Sequence, residues 1–210
     1  MKLNSKKIIF RPRRLRKTSF IRDISRENYL NRNDFISPLF VVEGENIKSP
    51  IPSMPGVFHW SIDIVGKEIE ELLHLGINKI ILFGIPEKKD EQASDSYSDN
   101  GIIQKAIKKI KNQYPEIFLI TDLCFCGYTK HGHCGVIINN EVDNDSTLSL
   151  LSKQAISHAE YGVDMVAPSC MMDGMVREIR NALDDNNYVD IPIMSYAVKY
   201  ASSFYGPFRE

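Results

Sequence analysis

The sequence predicts an α/β domain built on a parallel sheet. Three observations predict it. Apolar β-type runs alternate with amphipathic helical stripes, the stripes end at glycine or proline, and the residues with chemical potential fall just after the β-type runs. Hydrophobic residues make up 43% of the 210 and charged residues 25%, enough apolar content to fill a core of this size. The formal net charge of −1 supplies no overall field for nucleic acid or an anionic membrane. No apolar run approaches the ~18 residues of a membrane span. The first ten residues lack the apolar stretch of a secretory signal, so a cytoplasmic protein is expected.

Residues 1–33 differ from the rest. Arg11, Arg13, Arg14, Arg16 and Lys17 surround Pro12, and a polar stretch follows to Asn33. They read as an extended arm, either solvated or wrapped around a neighbouring subunit. No aromatic interleaving accompanies the basic run, which argues against nucleic acid as a partner.

Residues 34–210 carry the βα rhythm. Residues 35–42 read as the first strand. Ser61 is placed to cap a helix with Ile62, Val65, Ile69, Leu72 and Leu73 on one face, closed by Gly76. Residues 79–85 form a buried-strand run. Ile102, Ile103, Ala106, Ile107 and Ile110 give a second helical stripe, stopped by Pro115. Residues 117–123 make the third strand, 147–161 a helix closed by Gly162, and 163–167 the fourth strand. A helix over 173–184 and a fifth strand over 191–197 complete the series. Two architectures accommodate it: a doubly wound sheet complete at five strands, or five units of an eight-stranded (β/α)₈ barrel. No phosphate-binding glycine turn follows any strand, and periodicity alone does not choose.

The densest chemistry lies in T-D-L-C-F-C-G-Y-T-K-H-G-H-C-G, residues 121–135. Cys124 and Cys126 are two apart at a strand end, so their side chains point the same way. Cys134 returns across a loop containing Gly127, Gly132 and Gly135. Three thiolates suit a Zn²⁺ ion with an open fourth position, as Lewis-acid chemistry requires. Alternatively, His131 or His133 completes a closed structural sphere, or the thiols are simply buried. Asp122, in the same segment, can orient an amine, move a proton or cap the loop. Cys170 reads as a spare packing thiol.

Two further segments follow strands. In M-S-Y-A-V-K-Y-A-S-S-F-Y-G-P-F-R, residues 194–209, Lys199 is flanked by Tyr196, Tyr200, Phe204 and Tyr205. An apolar, aromatic pocket would disfavour the ammonium and free the amine for Schiff-base chemistry, although a surface lysine is the commoner fate. Arg209 can clamp a carboxylate bidentately or form a surface ion pair. In A-P-S-C-M-M-D-G, residues 167–174, Ser169 and Asp173 are candidates for helix capping or for the site.

Taken together, these segments resemble the porphobilinogen synthase (5-aminolaevulinate dehydratase) family over essentially the whole chain. The resemblance is carried by R-P-R-R-L-R at Arg11, M-P-G-V at Met54, L-F-G-I at Leu82, the cysteine segment at Asp122, V-D-N-D at Val142, A-P-S-x-M-M-D-G at Ala167 and M-S-Y-x-x-K-Y-A-S-S-F-Y-G-P-F-R-E at Met194. It implies condensation of two 5-aminolaevulinate molecules to porphobilinogen, an early step towards haem. It also implies a (β/α)₈ barrel with an N-terminal arm that wraps a neighbour, commonly in a homo-octamer. By position Cys124, Cys126 and Cys134 match zinc ligands, and Lys199 matches a Schiff-base lysine. Asp122 matches a polar residue of the site, while Arg209, Ser169, Asp173, Phe83 and Tyr205 match substrate-binding positions. Relatives with carboxylates in place of the cysteines use magnesium; all three thiols are kept here, so zinc is the expectation. A second Schiff-base lysine, in a later M-V-K-P strand, and any allosteric Mg²⁺ site would lie beyond Glu210. The chain alone is therefore expected to cover five barrel units and to make little or no product. Rival readings are a Schiff-base or zinc aldolase, a zinc-stabilised nucleic-acid module, and an inactive remnant with an assembly role.

Overall fold

The computed structural model describes residues 10–197, 199 and 200. The chain divides between Asp34 and Phe35 into two compact units. In the first, a 3₁₀ turn (Pro12–Arg16) begins with proline at a position where its missing N–H costs nothing. Helix α1 (Ser19–Ile24) follows, and the Thr18 hydroxyl caps it by accepting from the Ile21 N–H at 3.3 Å. Phe10, Phe20, Ile24 and Leu30 are each at least 80% exposed.

The second unit contains β1 (Ser37–Val42), β2 (Lys48–Pro50), β3 (Phe58–Ser61), α2 (Gly66–His74), β4 (Lys79–Ile85), α3 (Ile102–Gln113), β5 (Phe118–Leu123), β6 (Ile137–Ile138), β7 (Glu141–Val142), α4 (Asn144–Glu160), β8 (Met165–Pro168) and α5 (Met175–Asp185). The main sheet has the order β2-β3-β1-β4-β5-β8. All its pairings are parallel except β2 with β3. β1, β4, β5 and β8 lie side by side in chain order. A doubly wound sheet reverses its order at a switch point, whereas a barrel does not. The run β1-β4-β5-β8 is the succession of neighbouring strands in a (β/α)₈ barrel, while β3 pairs parallel on the other side of β1.

Apolar side chains sit on both faces of the sheet, which explains the continuous apolar runs. Leu39, Val41, Ile80, Leu82 and Leu119 pack with the helices in the larger core cluster. Ile81, Ile120 and Ala167 form a smaller cluster on the opposite face, joined by Phe83, Met165 and Met194.

Several boundaries differ from the sequence reading. The Ser61 side chain accepts from the Ile47 N–H at 2.8 Å instead of capping a helix, and α2 starts at Gly66. α4 starts at Asn144, ahead of the expected 147, because Asp143 is its cap and accepts from Ser146 N–H at 2.8 Å. α5 starts at Met175, after Gly174 with φ 79°. Strand β3 and the β6–β7 hairpin have no counterpart in the expected elements. The hairpin turns on Asn139 and Asn140, with φ 53° and 65°, the conformation a tight two-residue turn requires. The fifth strand is reduced to a bridge between Val166 and Ile193. Backbone bonds from Met194 N–H to the Val166 carbonyl (2.9 Å) and from Tyr196 N–H to the Pro168 carbonyl (3.2 Å) nevertheless continue a parallel ladder.

Candidate active site

The site grows from the C-terminal end of β5. Ile120 faces the smaller cluster, and alternation along the strand puts Asp122 on that same face. Phe83 lies one step past the paired residues Leu82 and Thr121 on β4 and β5. It stacks on Phe40 at 5.1 Å between ring centroids.

Beyond β5 the backbone turns, with the Tyr128 and Thr129 N–H groups both donating to the Phe125 carbonyl, at 2.8 and 2.9 Å. Gly132 supplies a φ of 71° that brings the chain back. The Thr129 hydroxyl ties the return by donating to the His133 carbonyl at 2.9 Å. The Cys124 sulfur is then 3.2 Å from that of Cys126 and 3.6 Å from that of Cys134. All three sulfurs lie within 4.8 Å of one another. A tetrahedral zinc ion with ~2.3 Å bonds separates its sulfurs by about 3.8 Å, so the donor set fits. Neither histidine belongs to it among the described residues. His131 Nδ1 instead accepts from the His133 N–H at 3.2 Å, and its Nε2 faces Glu91 at 3.8 Å. The three sulfurs alone make up the donor set among the described residues.

The electrostatics favour a cation. Hydrogen bonds shared with Cys126, Cys134 and Cys170 hold the Cys124 thiol well below its ordinary range. The same sharing pushes Cys126 and Cys134 up. One thiolate stabilised by neutral thiols is a ready anchor for a metal ion. Burial pushes the Asp122 carboxyl up to about 8, with the nearby Cys124 charge adding to it. Its Oδ1 is buried without a hydrogen-bond partner, leaving a group able to carry a proton.

Ser169 is buried after β8, and its N–H donates to the Leu123 carbonyl at 3.2 Å. Its side chain bonds Asp122. Lys199 Nζ donates to the Ser169 carbonyl at 2.9 Å and lies 5.5 Å from the Tyr196 ring centroid. Lys199, Asp122, Ser169 and the cysteines thus meet at the ends of β5 and β8. The expected aromatic enclosure of Lys199 is not seen among the described residues. Lys199 is exposed, as are Tyr196 at 40% and Tyr200 at 76%; one carbonyl and one ring hold the amine. Phe204, Tyr205 and Arg209 lie outside the described residues.

Neither Ser169 nor Asp173 caps α5. Asp173 is exposed, and the Asn144 side chain grips its backbone. Asn144 Oδ1 accepts from the Asp173 N–H at 2.8 Å, and Nδ2 donates to its carbonyl at 3.2 Å. Thr147, one turn on, accepts from the Val136 N–H at 3.0 Å and donates to the Asp143 carbonyl. The first turn of α4 therefore holds both the end of the cysteine loop and the segment after β8. Sequence reasoning assigned neither residue a role; the V-D-N-D segment was the available signal.

Comparison with known proteins agrees with this geometry. The family model for delta-aminolevulinic acid dehydratase matches residues 9–210. A Ruminiclostridium josui delta-aminolevulinic acid dehydratase is 54% identical over 203 residues, covering 97% of this chain and 99% of that one. The Bacillus subtilis enzyme of that name is 52% identical over 200 residues, and the match spans 62% of its length. A crystal structure of the Toxoplasma gondii ME49 enzyme in complex with the reaction product porphobilinogen superimposes with a TM-score of 0.90 at 42% identity. That match covers 97% of this chain and 58% of the other. With its strands in barrel succession and its cysteines gathered at their C-terminal ends, the chain belongs to the delta-aminolevulinic acid dehydratase family.

Proposed function

We propose that the whole protein condenses two molecules of 5-aminolaevulinate into porphobilinogen, releasing two waters, as part of tetrapyrrole synthesis. The observation that carries this reading is the convergence of Lys199, Asp122 and the three cysteines at the ends of adjacent strands. Each group has a part. The Lys199 amine attacks the keto carbon of one substrate molecule, and the carbonyl oxygen leaves as water as the C=N bond forms. The Ser169 carbonyl holds Nζ in place for that attack. Asp122, with a free buried oxygen, takes or returns a proton at the amine of the second molecule. Zinc held by Cys124, Cys126 and Cys134 would supply Lewis-acid polarisation at its open position. Phe83 offers an apolar wall, and Arg209 and Tyr205 are assigned to the substrate carboxylate and its surroundings. Asp173 is assigned to the rim. Ring closure between two molecules held this way gains the effective-molarity advantage of an intramolecular reaction.

The exposed apolar side chains of the first unit support a further part of the reading, an arm that packs on a second subunit in a homo-octamer.

Borohydride trapping tests the chemistry. Treatment with 5-aminolaevulinate and borohydride should add one reduced imine that maps to Lys199 and is lost in Lys199→Ala. No adduct at Lys199, whatever forms on other lysines, removes Lys199 from the mechanism.

A further inference from the structure

The loop between β4 and α3 contains a left-handed residue that is not glycine. Ala93 has φ 54° and ψ 39° and is buried. An alanine keeps that conformation only where its surroundings fix it. The Asp90 carboxylate does so here. Its Oδ1 accepts from the Gln92 N–H at 2.9 Å and from the Ser94 N–H at 3.0 Å, one on each side of Ala93. The Ser96 N–H closes the turn by donating to the Ala93 carbonyl at 2.9 Å.

The backbone of the same Asp90 carries the cysteine loop. Its N–H donates to the Tyr128 carbonyl at 3.3 Å, and its carbonyl accepts from the Lys130 N–H at 3.1 Å. The two bonds form a parallel bridge to Thr129. Thr129 is buried, and its hydroxyl donates to the carbonyl of His133, the residue before Cys134. Tyr128 lies two residues beyond Cys126, and its hydroxyl fills the space beside Gly84 of β4, where a Cβ would collide with it. The segment between the second and third cysteines is thus held by β4 and by the turn that follows it.

Resting on the metal-centre reading above, we propose that Asp90 is a positioning residue for that centre. Its carboxylate locks the turn at Ala93, and the locked turn sets where Cys126 and Cys134 stand relative to Cys124. Asp90 acts only through Tyr128, Thr129 and Lys130. Donors arranged in advance bind an ion more tightly than donors that must be ordered on binding, and such supporting contacts are worth tenfold or more in metal affinity.

Zinc affinity of the purified protein, measured by competition with a chromophoric chelator, tests this. Asp90→Ala is expected to weaken binding by about tenfold or more. Asp90→Asn keeps an oxygen for both N–H groups and should bind zinc as the wild type does. Asp90→Ala combined with Ala93→Gly should regain most of the affinity, since glycine takes a positive φ unaided. A role in stability alone would lower the unfolding midpoint and leave zinc affinity unmoved. Wild-type affinity in Asp90→Ala overturns the proposal, and so does a loss that the glycine fails to restore. Where Asp90→Ala does not fold, Thr129→Val cuts the same route at His133, and unchanged affinity in that variant overturns it. A wild-type protein that holds no zinc overturns the metal-centre reading, and the proposal with it.

Discussion

His158 shows at the residue scale how the face behind the site is set. It is fully buried on α4; Nδ1 is 2.9 Å from the Thr121 hydroxyl and Nε2 is 3.2 Å from the Ser96 carbonyl. A carbonyl only accepts, so Nε2 carries the proton and Nδ1 accepts from Thr121. Burial pushes the ring down to about 4 from 6.5. The unfolded chain therefore binds a proton that the folded one refuses between pH 6.5 and 4, and stability falls as pH drops through that window. The full loss is on the order of 3 kcal/mol. Urea unfolding at pH 7.5 and 4.5 should show this slope, and His158→Asn should flatten it. An unchanged slope in the variant would assign acid sensitivity to other groups. Thr121 and Asp122 sit on opposite faces of β5, so the strand that carries the candidate acid is anchored from behind by a neutral histidine.

The first turn of α4 is the element that joins the pieces of the site. Thr147 is buried, and its hydroxyl serves the loop that follows Cys134; Asn144 serves the segment that carries Ser169 and Cys170. Gly135 has no room for a side chain beside Thr147, which explains glycine directly after the third cysteine. Thr147→Val keeps the shape and removes the hydroxyl, leaving the Val136 N–H without its partner. A loss of about 1–3 kcal/mol in unfolding free energy is expected, together with weaker zinc binding in competition with a chromophoric chelator. Loss of stability with unchanged zinc affinity would show that α4 does not position the third cysteine. The helix was legible from its apolar spacing and Gly162. Its start was not, because the cap was decided by Asp143 meeting Ser146.

For the whole molecule, the barrel succession and the exposed arm carry the consequences. Parallel sheets are stable when both faces are covered. Here the face bearing Ile81, Ile120 and Ala167 has only a small cluster, and the ladder on the far side of β8 extends no further than residues 192–196 among the described residues. The match spans 62% of the B. subtilis relative's length. A 210-residue chain expressed by itself is expected to form porphobilinogen at a rate far below that of relatives matched over 62% of their length, although the R. josui relative is matched over 99%. A rate equal to theirs would show that these residues suffice. No helix among the described residues is long and apolar enough to cross a membrane.

The α/β class, most strands and the three-cysteine set were legible in the sequence because each rests on local chemistry. Apolar runs, glycine stops and two cysteines two positions apart need no distant partner to be understood. What the tertiary structure decided depends on residues far apart in the chain. It set β1, β4, β5 and β8 side by side and added β3 beyond β1, since strand order is a matter of pairing and not of pattern; the barrel reading rests on likeness to the solved family structure. It left both histidines outside the donor set, because the turn after Phe125 directs His131 towards Glu91 and His133. It brought Cys170, thirty-six residues beyond Cys134, to that residue's carbonyl, a contact made by the pairing of β5 with β8 and invisible to any local reading.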